Sequence, residues 1–312
     1  MKSLSLSLSL SLSLEVFFSF SCYLHYLSVH DASSFCNIVG VTSTIFARLV
    51  KEMKNLKRTR GGRHTSFSDE DELLMTLLWL RHYCVDVLLA AIWKTSAQTF
   101  GNIRKRTLTM LSDLMSKKIV LPTLEWRLDH SVNFLGSTYS YSIDGSEQKV
   151  LRSKNPRIDT AFYSAKKKQH SINIVVARSA STRRIIYISQ SFPGYYNDYQ
   201  IVQACKEDFF SRLDLIERGI GDKGFEGLSD VSFRIDTPPD DKVLSKFFSS
   251  YRIGIENTFA DLKDWRACRD ELRFSPYDEE NLIAMHNKIW KTVAGLVTMK
   301  YEDSGLIDPL DE

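Results

Sequence analysis

The chain has 312 residues, of which 43% are hydrophobic and 25% are charged, the ordinary balance of a globular protein with room for two domains. Its formal net charge of +3 is too small to indicate a polyanionic partner by itself. The five cysteines lie far apart and form no CxxC pair. This spacing argues against a disulfide framework and against a structural zinc site.

Residues 1–40 form a low-complexity segment that opens with a Ser-Leu repeat. Lys2 before an apolar stretch resembles a secretory signal, and a secreted protein is one alternative. However, every second residue of the repeat is Ser, and Glu15 interrupts the stretch that follows. We therefore expect no signal peptide, and the sequence has no uninterrupted apolar run long enough to span a bilayer, so no membrane partner is expected.

Residues 41–115 are predicted to form a helical domain. Ser68 is placed to cap a helix that extends as far as His82, and the leucines of this stretch recur at helical spacing. A second helix is predicted over 86–93 and a third over 97–110. Two short helices joined by a tight turn, the second of them basic, predict a helix-turn-helix DNA-binding domain. Three cations of the third helix are expected to contact DNA: Arg104, Lys105 and Arg106.

The pattern changes from helical to β in the stretch 130–300. A strand over 139–143 is predicted to end at Asp144, beside a glycine. Runs over 171–177 and 183–189 predict a hairpin, and a short fourth strand is predicted to end at Asp222. An acid at the end of a strand can leave the sheet and face a substrate, although a cap or a surface carboxylate is the alternative for each.

Helices are predicted to cover these strands. Asn197 or Asp198 would cap a helix that extends to Leu213, and residues 226–251 are interpreted as an inserted connection. A last helix over 253–268 carries Glu256. The order βββαβα predicts an α/β fold with an RNase H-like core, a mixed sheet of about five strands flanked by helices. The first and fourth strands are neighbours in that fold, so the three acids meet. Residues 301–312 are expected to form an acidic tail.

Five motifs in succession resemble those of the DDE superfamily endonucleases, which include the Harbinger-type transposases and their domesticated nuclease-like relatives. The resemblance covers roughly residues 66 to 300, and its motifs stand in the same order as in that family. They are Asp144-Gly-Ser, Tyr163-Ser-Ala-Lys-Lys-Lys-Gln-His170, Phe192-Pro-Gly-Tyr-Tyr-Asn-Asp198, Gly221-Asp-Lys-Gly-Phe225 and Ile255-Glu-Asn-Thr-Phe-Ala-Asp-Leu-Lys263.

The resemblance implies a metal-dependent DNA nuclease or transposase whose acidic triad is Asp144, Asp222 and Glu256. Two departures from the family pattern occur. Ala165 replaces the family's usual glycine, and Asn173 replaces a lysine. Double-stranded DNA is the implied partner, with a Myb-like DNA-binding protein as a looser implication and a homo-oligomer as a further candidate. A nuclear, or nuclear and cytoplasmic, location is expected.

Carboxylate oxygens suit Mg²⁺ or Mn²⁺ rather than zinc. Two such ions would activate water or a 3′ hydroxyl and neutralise charge at the scissile phosphate. Asp144 would bridge the ions, and Asp222 and Glu256 would each hold one. Asp198 is interpreted first as a helix cap and second as a reserve metal ligand.

A cluster of cations close to these acids is expected to contact DNA phosphates, although a solvated basic edge is the alternative. This cluster is Lys166, Lys167, Lys168, His170 and Lys223. The alternative function is a domesticated, catalytically inactive transposase that acts as a DNA-binding or scaffold protein.

Overall fold

A computed structural model describes residues 32–60, 67–153, 155–230, 232–273 and 279–310. The Ser-Leu repeat lies outside the described residues. The chain divides into two compact units, Met1–Met110 and Leu111–Glu312. Within the described residues, no single helix is long and apolar enough to cross a membrane. One pair, Ser33–Val39 and Ser43–Leu56, meets that test only jointly, and the pair is bent by 52° at its break.

The first unit is helical where it is described. Its helices, the last of which continues across the boundary into the second unit, are α1 Ala32–Val39, α2 Ser43–Arg60, α3 Asp69–His82, α4 Asp86–Ile92 and α5 Ala97–Ser116. Ser68 caps α3 as predicted: its hydroxyl accepts from the Asp71 N–H, and the Asp71 side chain accepts from the Ser68 N–H. The three helices predicted from 68 onwards are therefore confirmed, with α5 extending beyond Met110.

The second unit is built on a mixed sheet. Its strands within the described residues are β1 Val132–Phe134, β2 Ser137–Lys149, β3 Tyr163–Ser164, β4 Gln169–Ser179, β5 Ile185–Ile188, β6 Phe192–Pro193, β7 Glu217–Ile220 and β8 Ile235–Asp236. β4 is antiparallel to both β2 and β5, whereas β7 is parallel to β2 and to β8. This order confirms the mixed sheet and the neighbouring first and fourth strands, and it is consistent with an RNase H-like core.

Helices flank the sheet. They are α6 Leu124–Asp129, α7 Pro156–Phe162, α8 Asp198–Ala204, α9 Lys242–Lys263, α10 Arg266–Arg269 and α11 Glu279–Asp303. Tyr141 and Ile143 of β2 pack with Ile201 of α8 in one buried cluster. Phe248 of α9 packs against Tyr139 of β2 in a second cluster. Both clusters fix helices close to the middle of β2, because apolar side chains are removed from water there.

A buried ion pair joins α6 to the sheet. Arg127 donates two hydrogen bonds of 2.7 Å to the carboxylate of Glu217, the first residue of β7, and both side chains are buried. Burial alone would raise the pKa of Glu217, but the hydrogen bonds from Arg127 and from the Asp214 N–H hold it below its usual value. β7 is thus anchored at the end opposite to Asp222.

Four predicted assignments were wrong. β2 does not end at Asp144 but continues to Lys149, because β4 pairs with it along that whole stretch. The helix expected to extend to Leu213 ends at Ala204. The supposed connection over 226–251 contains β8 and the first turns of α9, which begins at Lys242, shortly after Pro238-Pro239. Residues 301–303, assigned to the tail, belong to α11.

Candidate active site

Asp144 and Asp222 come together because their strands are parallel neighbours. Tyr141 pairs with Gly219 and Ser142 with Ile220, which is the last residue of β7. Two residues further along, the same register places Asp144 level with Asp222. Asp144 is thus interior to its own strand but lies where the neighbouring strand ends, so its side chain borders an open edge of the sheet.

Backbone N–H groups orient both carboxylates. The Gly145 N–H donates to Asp144 Oδ1 at 2.7 Å, and the Gly224 N–H donates to Asp222 Oδ1 at 2.8 Å. The second bond caps a short 3₁₀ helix, Lys223–Phe225, which directs the chain away after β7. Asp222 is therefore both a cap and a carboxylate of the cleft, so the two interpretations of this residue do not exclude one another.

Asp198 lies beside these two carboxylates. Asn197, not Asp198, caps α8: its side chain accepts from the Gln200 N–H at 2.8 Å, and Gln200 bonds back to the Asn197 N–H. This leaves the Asp198 side chain available for the cleft. The interpretation of Asp198 as the helix cap is corrected accordingly.

Two glycines show how closely Asp198 approaches the other acids. A Cβ atom added at Gly145 would lie 2.5 Å from Asp198 Oδ1. One added at Gly224 would lie 2.9 Å from Asp198 Oδ2 and 2.9 Å from Asp222 Oδ1. Because both oxygens lie 2.9 Å from that one point, Asp198 Oδ2 and Asp222 Oδ1 are separated by no more than twice 2.9 Å. Glycine at both positions makes room for the carboxylates.

The three acids line one cleft of about 590 Å³. Burial is the main cause that raises the pKa of Asp144 to about 6, and the charges of Asp222 and Asp198 add to it. Burial likewise raises the pKa of Asp198, against the opposing charge of Lys166. Half-buried carboxylates that repel one another are the arrangement that a bound cation relieves.

Cations enter this cleft from two elements. Lys166 and Lys167 come from the turn before β4, and Lys263 comes from the last residue of α9. Lys166 Nζ lies 3.3 Å from Asp198 Oδ2. Burial lowers the pKa of Lys263, and the charge of Asp144 partly opposes this shift. Asn173, which stands where the family has lysine, donates from its amide to the Tyr196 carbonyl at 2.7 Å.

Glu256 does not line the cleft. Its side chain is 53% exposed and lies 3.3 Å from Arg252, one turn earlier on α9. Arg252, Glu256 and Lys263 share one helical face, since they are four and seven residues apart. Arg252 and Lys263 both interact electrostatically with Asp144, so this face is turned towards the cleft. The structure therefore brings together Asp144, Asp198 and Asp222, with Glu256 on the neighbouring helix.

The other predicted cations of the second unit are dispersed. Lys168 is exposed in the turn before β4, with a left-handed φ of 53°. His170 is largely buried and lies 2.7 Å from Asp159. Lys223 lies 3.6 Å from Asp240, and its side chain lines a separate cavity with Tyr139. Neither His170 nor Lys223 lines the cleft that holds the carboxylates.

Two of the three predicted cations on α5 form ion pairs within the helical unit. Arg104 is 5% exposed, forms two hydrogen bonds to Asp86, and stacks over Trp79 at 4.2 Å. Arg106 pairs with the buried carboxylate of Glu72. Lys105 is exposed. The basic run of α5 is thus largely used for internal ion pairs.

The donor set of the cleft fits a hard divalent cation such as Mg²⁺ or Mn²⁺, because it consists of half-buried carboxylate oxygens that repel one another. In the parts of the chain that the structure describes, no three metal-ligating side chains are close enough to form a ready-made metal site. A cation would therefore have to draw the side chains of Asp144, Asp198 and Asp222 together.

Two charged residues of the cleft were not predicted from the sequence. Lys263 ends the last motif, and its position two turns after Glu256 on one helical face was the available signal. Glu147 lines the cleft, where it accepts a hydrogen bond from Ser171 and adds to the charge around Asp198. It follows Asp144 by three residues in a strand, where alternation places the two side chains on opposite faces, so the strand pattern did not indicate it.

The mixed sheet flanked by helices is an α/β domain consistent with an RNase H-like core, and it carries the carboxylates at its open edge. The family model described as DDE superfamily endonuclease matches residues 143–298, which is half of the chain. The chain belongs to the DDE superfamily endonucleases. No match was found among curated proteins or among solved structures.

Proposed function

We propose that this chain is a divalent-cation-dependent DNA endonuclease of the transposase type, and that it belongs to the Harbinger-type subfamily. The observation that carries the proposal is the parallel register of β2 and β7, which sets Asp144 level with Asp222 beside Asp198 in one cleft. The five ordered motifs support the subfamily assignment.

In this proposal, Asp144, Asp198 and Asp222 hold Mg²⁺ or Mn²⁺. The bound cations would supply positive charge for the scissile phosphate and acidify the attacking water or 3′ hydroxyl. The chain contributes the orientation of the carboxylates, since the N–H groups of Gly145 and Gly224 fix one oxygen of Asp144 and one of Asp222.

Lys167 and Lys263 would hold the DNA backbone in the cleft. Both line it, and they come from different elements, so a strand lying between them would meet a cation on each side. Phosphate contacts of this kind position the substrate without reading its sequence. Lysine suits this role because it acts as a compact point charge on a flexible stem.

The experiment is a nicking assay on supercoiled plasmid DNA with Mn²⁺. Asp144→Asn and Asp222→Asn are expected to lose more than about a hundredfold in rate, since each removes a carboxylate that would hold a cation, and the cation would stabilise the transition state by several kcal/mol. Asp240→Asn is the matched control, because Asp240 is fully exposed and lies outside the cleft. Nicking by Asp144→Asn at the wild-type rate would overturn the proposal.

The third ligand of the triad is either Glu256, which its motif indicates, or Asp198, which its position in the cleft indicates. Asp198 already lies beside Asp222, whereas Glu256 would first have to leave Arg252. Comparison of Asp198→Asn with Glu256→Gln separates them. Loss of both Mn²⁺ binding and nicking in Asp198→Asn alone would assign the place to Asp198, and the reverse result would assign it to Glu256.

A second candidate function is favoured by the position of Glu256 outside the cleft. The chain would then be a domesticated transposase that binds DNA or serves as a scaffold without cutting. Wild-type protein that binds duplex DNA but does not nick it, with either Mg²⁺ or Mn²⁺, would support this candidate against the endonuclease.

Three further proposals follow from the resemblance to Harbinger-type proteins. We propose that α4 and α5 form a DNA-binding helix-turn-helix, that a Myb-like protein or a second copy of the chain assists binding, and that the chain works in the nucleus. A fluorescent fusion of the full chain tests the location, and exclusion of this fusion from the nucleus would contradict it.

A further inference from the structure

Lys166 lies among the three carboxylates of the cleft. Its Nζ is 3.3 Å from Asp198 Oδ2. Its ammonium group also interacts electrostatically with Asp222 and Asp144, and the attraction to Asp198 is the strongest of the three. The positive charge of Lys166 thus partly balances the negative charges of all three acids. It lies where the proposed function places a divalent cation.

The ion pair between Lys166 and Asp198 is suited to being opened. The Lys166 side chain is 69% exposed, whereas that of Asp198 is 20% exposed. The lysine can therefore return to water with little loss, because exposed ion pairs contribute about 1 kcal/mol or less. The carboxylate that it leaves would need another cation, since burial disfavours its charge.

The next residue provides a contrast. Lys167 lines the same cleft, where its charge acts on Lys263: burial lowers the pKa of Lys263, and the charge of Lys167 adds to this shift. Two adjacent lysines of one turn therefore have different charged neighbours in the cleft, since Lys166 pairs with Asp198. Substitution of each lysine in turn therefore distinguishes the effect of a charge at the carboxylates from the effect of a charge elsewhere in the cleft.

We infer that Lys166 is a tethered counter-ion, which partly balances the charge of Asp144, Asp198 and Asp222 in the cation-free protein and which an incoming divalent cation displaces. The inference rests on the proposed function, because it uses the same carboxylates. Lys166 acts through those carboxylates and is a positioning residue. Its four-carbon stem keeps the displaced ammonium at the cleft, where DNA phosphates would receive it.

The test is calorimetric titration of the full chain with Mn²⁺ alone at pH 7.5, for wild type, Lys166→Met, Lys166→Arg and Lys167→Met. Lys166→Met removes the competing charge at nearly constant length, so its dissociation constant for Mn²⁺ is expected to fall roughly three- to tenfold, the worth of a weak ion pair. Lys166→Arg keeps a cation and is expected to stay within about twofold of wild type. Lys167→Met is expected to tighten binding by less than Lys166→Met.

Thermal unfolding without divalent cations gives an independent measurement. Lys166→Met is expected to unfold at a lower temperature than Lys167→Met, because its three carboxylates lack their counter-ion. Saturating Mn²⁺ is expected to remove the difference.

Failure of the inference and failure of the proposed function give different results. If wild type binds Mn²⁺ but Lys166→Met binds it no more tightly, or if Lys167→Met tightens binding by the same factor, the counter-ion role is wrong and the proposed function stands. If neither wild type nor Lys166→Met binds Mn²⁺, both are wrong. Binding by Lys166→Met alone would support the inference in its strongest form.

Discussion

At the scale of the residue, Asp144 has opposite effects on stability with and without a cation. Burial and the neighbouring acids raise its pKa to about 6 in the folded chain, against about 3.9 in an unfolded one. The folded state therefore binds more protons between these two values. Its stability at neutral pH is reduced, and this penalty disappears as the pH falls from about 6 towards 4.

Asp144→Asn is accordingly expected to be more stable than wild type at pH 7.5 without divalent cations, by about 1 to 3 kcal/mol. The difference should shrink as the pH falls from about 6 towards 4 and vanish at about pH 3, below both pKa values, where the wild-type carboxyl is protonated in both states. Denaturant unfolding of both proteins across this range, in the presence of a chelator, measures it. A variant that is less stable than wild type at pH 7.5 would show that the carboxylate serves the fold rather than a cation.

The residues of the site could be predicted to different degrees. Asp144 and Asp222 follow β-patterned runs and stand beside glycine, and the structure places both in the cleft. Asp198 was misjudged because Asn197 and Asp198 are both good caps, and only the observed capping box shows which one is used. The internal ion pair of Arg104 depends on Asp86, 18 residues earlier, and sequence spacing does not reveal such a partner.

At the scale of the element, α5 carries two kinds of cation. Arg104 forms a buried ion pair that stabilises the fold, whereas Lys105 is exposed and accessible to DNA. Arg104→Met would remove two hydrogen bonds to Asp86 and the stacking on Trp79. We expect it to cost about 2 to 4 kcal/mol of unfolding free energy. Lys105→Met is expected to change stability by less than about 0.5 kcal/mol, because Lys105 is exposed.

DNA binding of the same two variants tests the proposed helix-turn-helix. Lys105→Met, which stays folded, is expected to weaken binding of duplex DNA. Arg104→Met is expected to lose binding only at temperatures where unfolding is detected by circular dichroism. Unchanged DNA affinity in Lys105→Met would argue against α5 as the DNA-contacting helix.

His286 makes α11 sensitive to acid. It is buried, with Nδ1 2.6 Å from Ser191 Oγ, and burial lowers its pKa to about 3. The unfolded state, in which histidine has a pKa near 6.5, binds more protons between these values. Stability contributed by neutral His286 is therefore present above about pH 6.5 and is lost as the pH falls below it.

The sign of this effect is opposite to that of Asp144, so the measurement must be differential. His286→Asn keeps a polar side chain near Ser191 but does not titrate. The stability of wild type relative to His286→Asn is expected to fall by about 1.4 kcal/mol per pH unit between pH 6 and 4. If the difference in stability between the two proteins stays constant over this range, protonation of His286 does not destabilise the folded state.

The elements themselves were predicted best where their pattern is local. The Ser68 cap of α3 and the hairpin of β4 and β5 are encoded within short stretches, and both were predicted. The start of α9 was missed because Pro238-Pro239 indicates a break, whereas the helix begins at Lys242 just beyond it. α8 ends early at Ala204, where helical spacing continues but buried packing around Phe209 and Phe210 takes the chain into a 3₁₀ turn.

At the scale of the whole molecule, the proposed DNA binding would have to depend on local cations, because the net charge is only +3. The order of the five motifs indicated the family, which the match over residues 143–298 established. Single cations were harder to place. Of those predicted in the second unit, Lys166 and Lys167 line the cleft, and the third cation found there, Lys263, was not predicted.

These cations should determine how binding depends on salt. Each phosphate contact steepens the fall of log affinity with log salt by about 0.9 for duplex DNA. Lys167→Met and Lys263→Met are each expected to reduce this slope by about 1, and the double variant by about 2. Lys300→Met is the control, since it removes the same charge from an exposed position near the end of α11.

Fluorescence anisotropy of a short duplex, measured in the Asp144→Asn background so that the DNA stays intact, gives the slopes. The decisive comparison is between the cleft variants and Lys300→Met at equal net charge. An equal loss of slope in all of them would mean that the DNA senses only the overall field of the protein. A loss confined to Lys167 and Lys263 would support a DNA backbone that passes between the turn before β4 and the end of α9, over the three carboxylates.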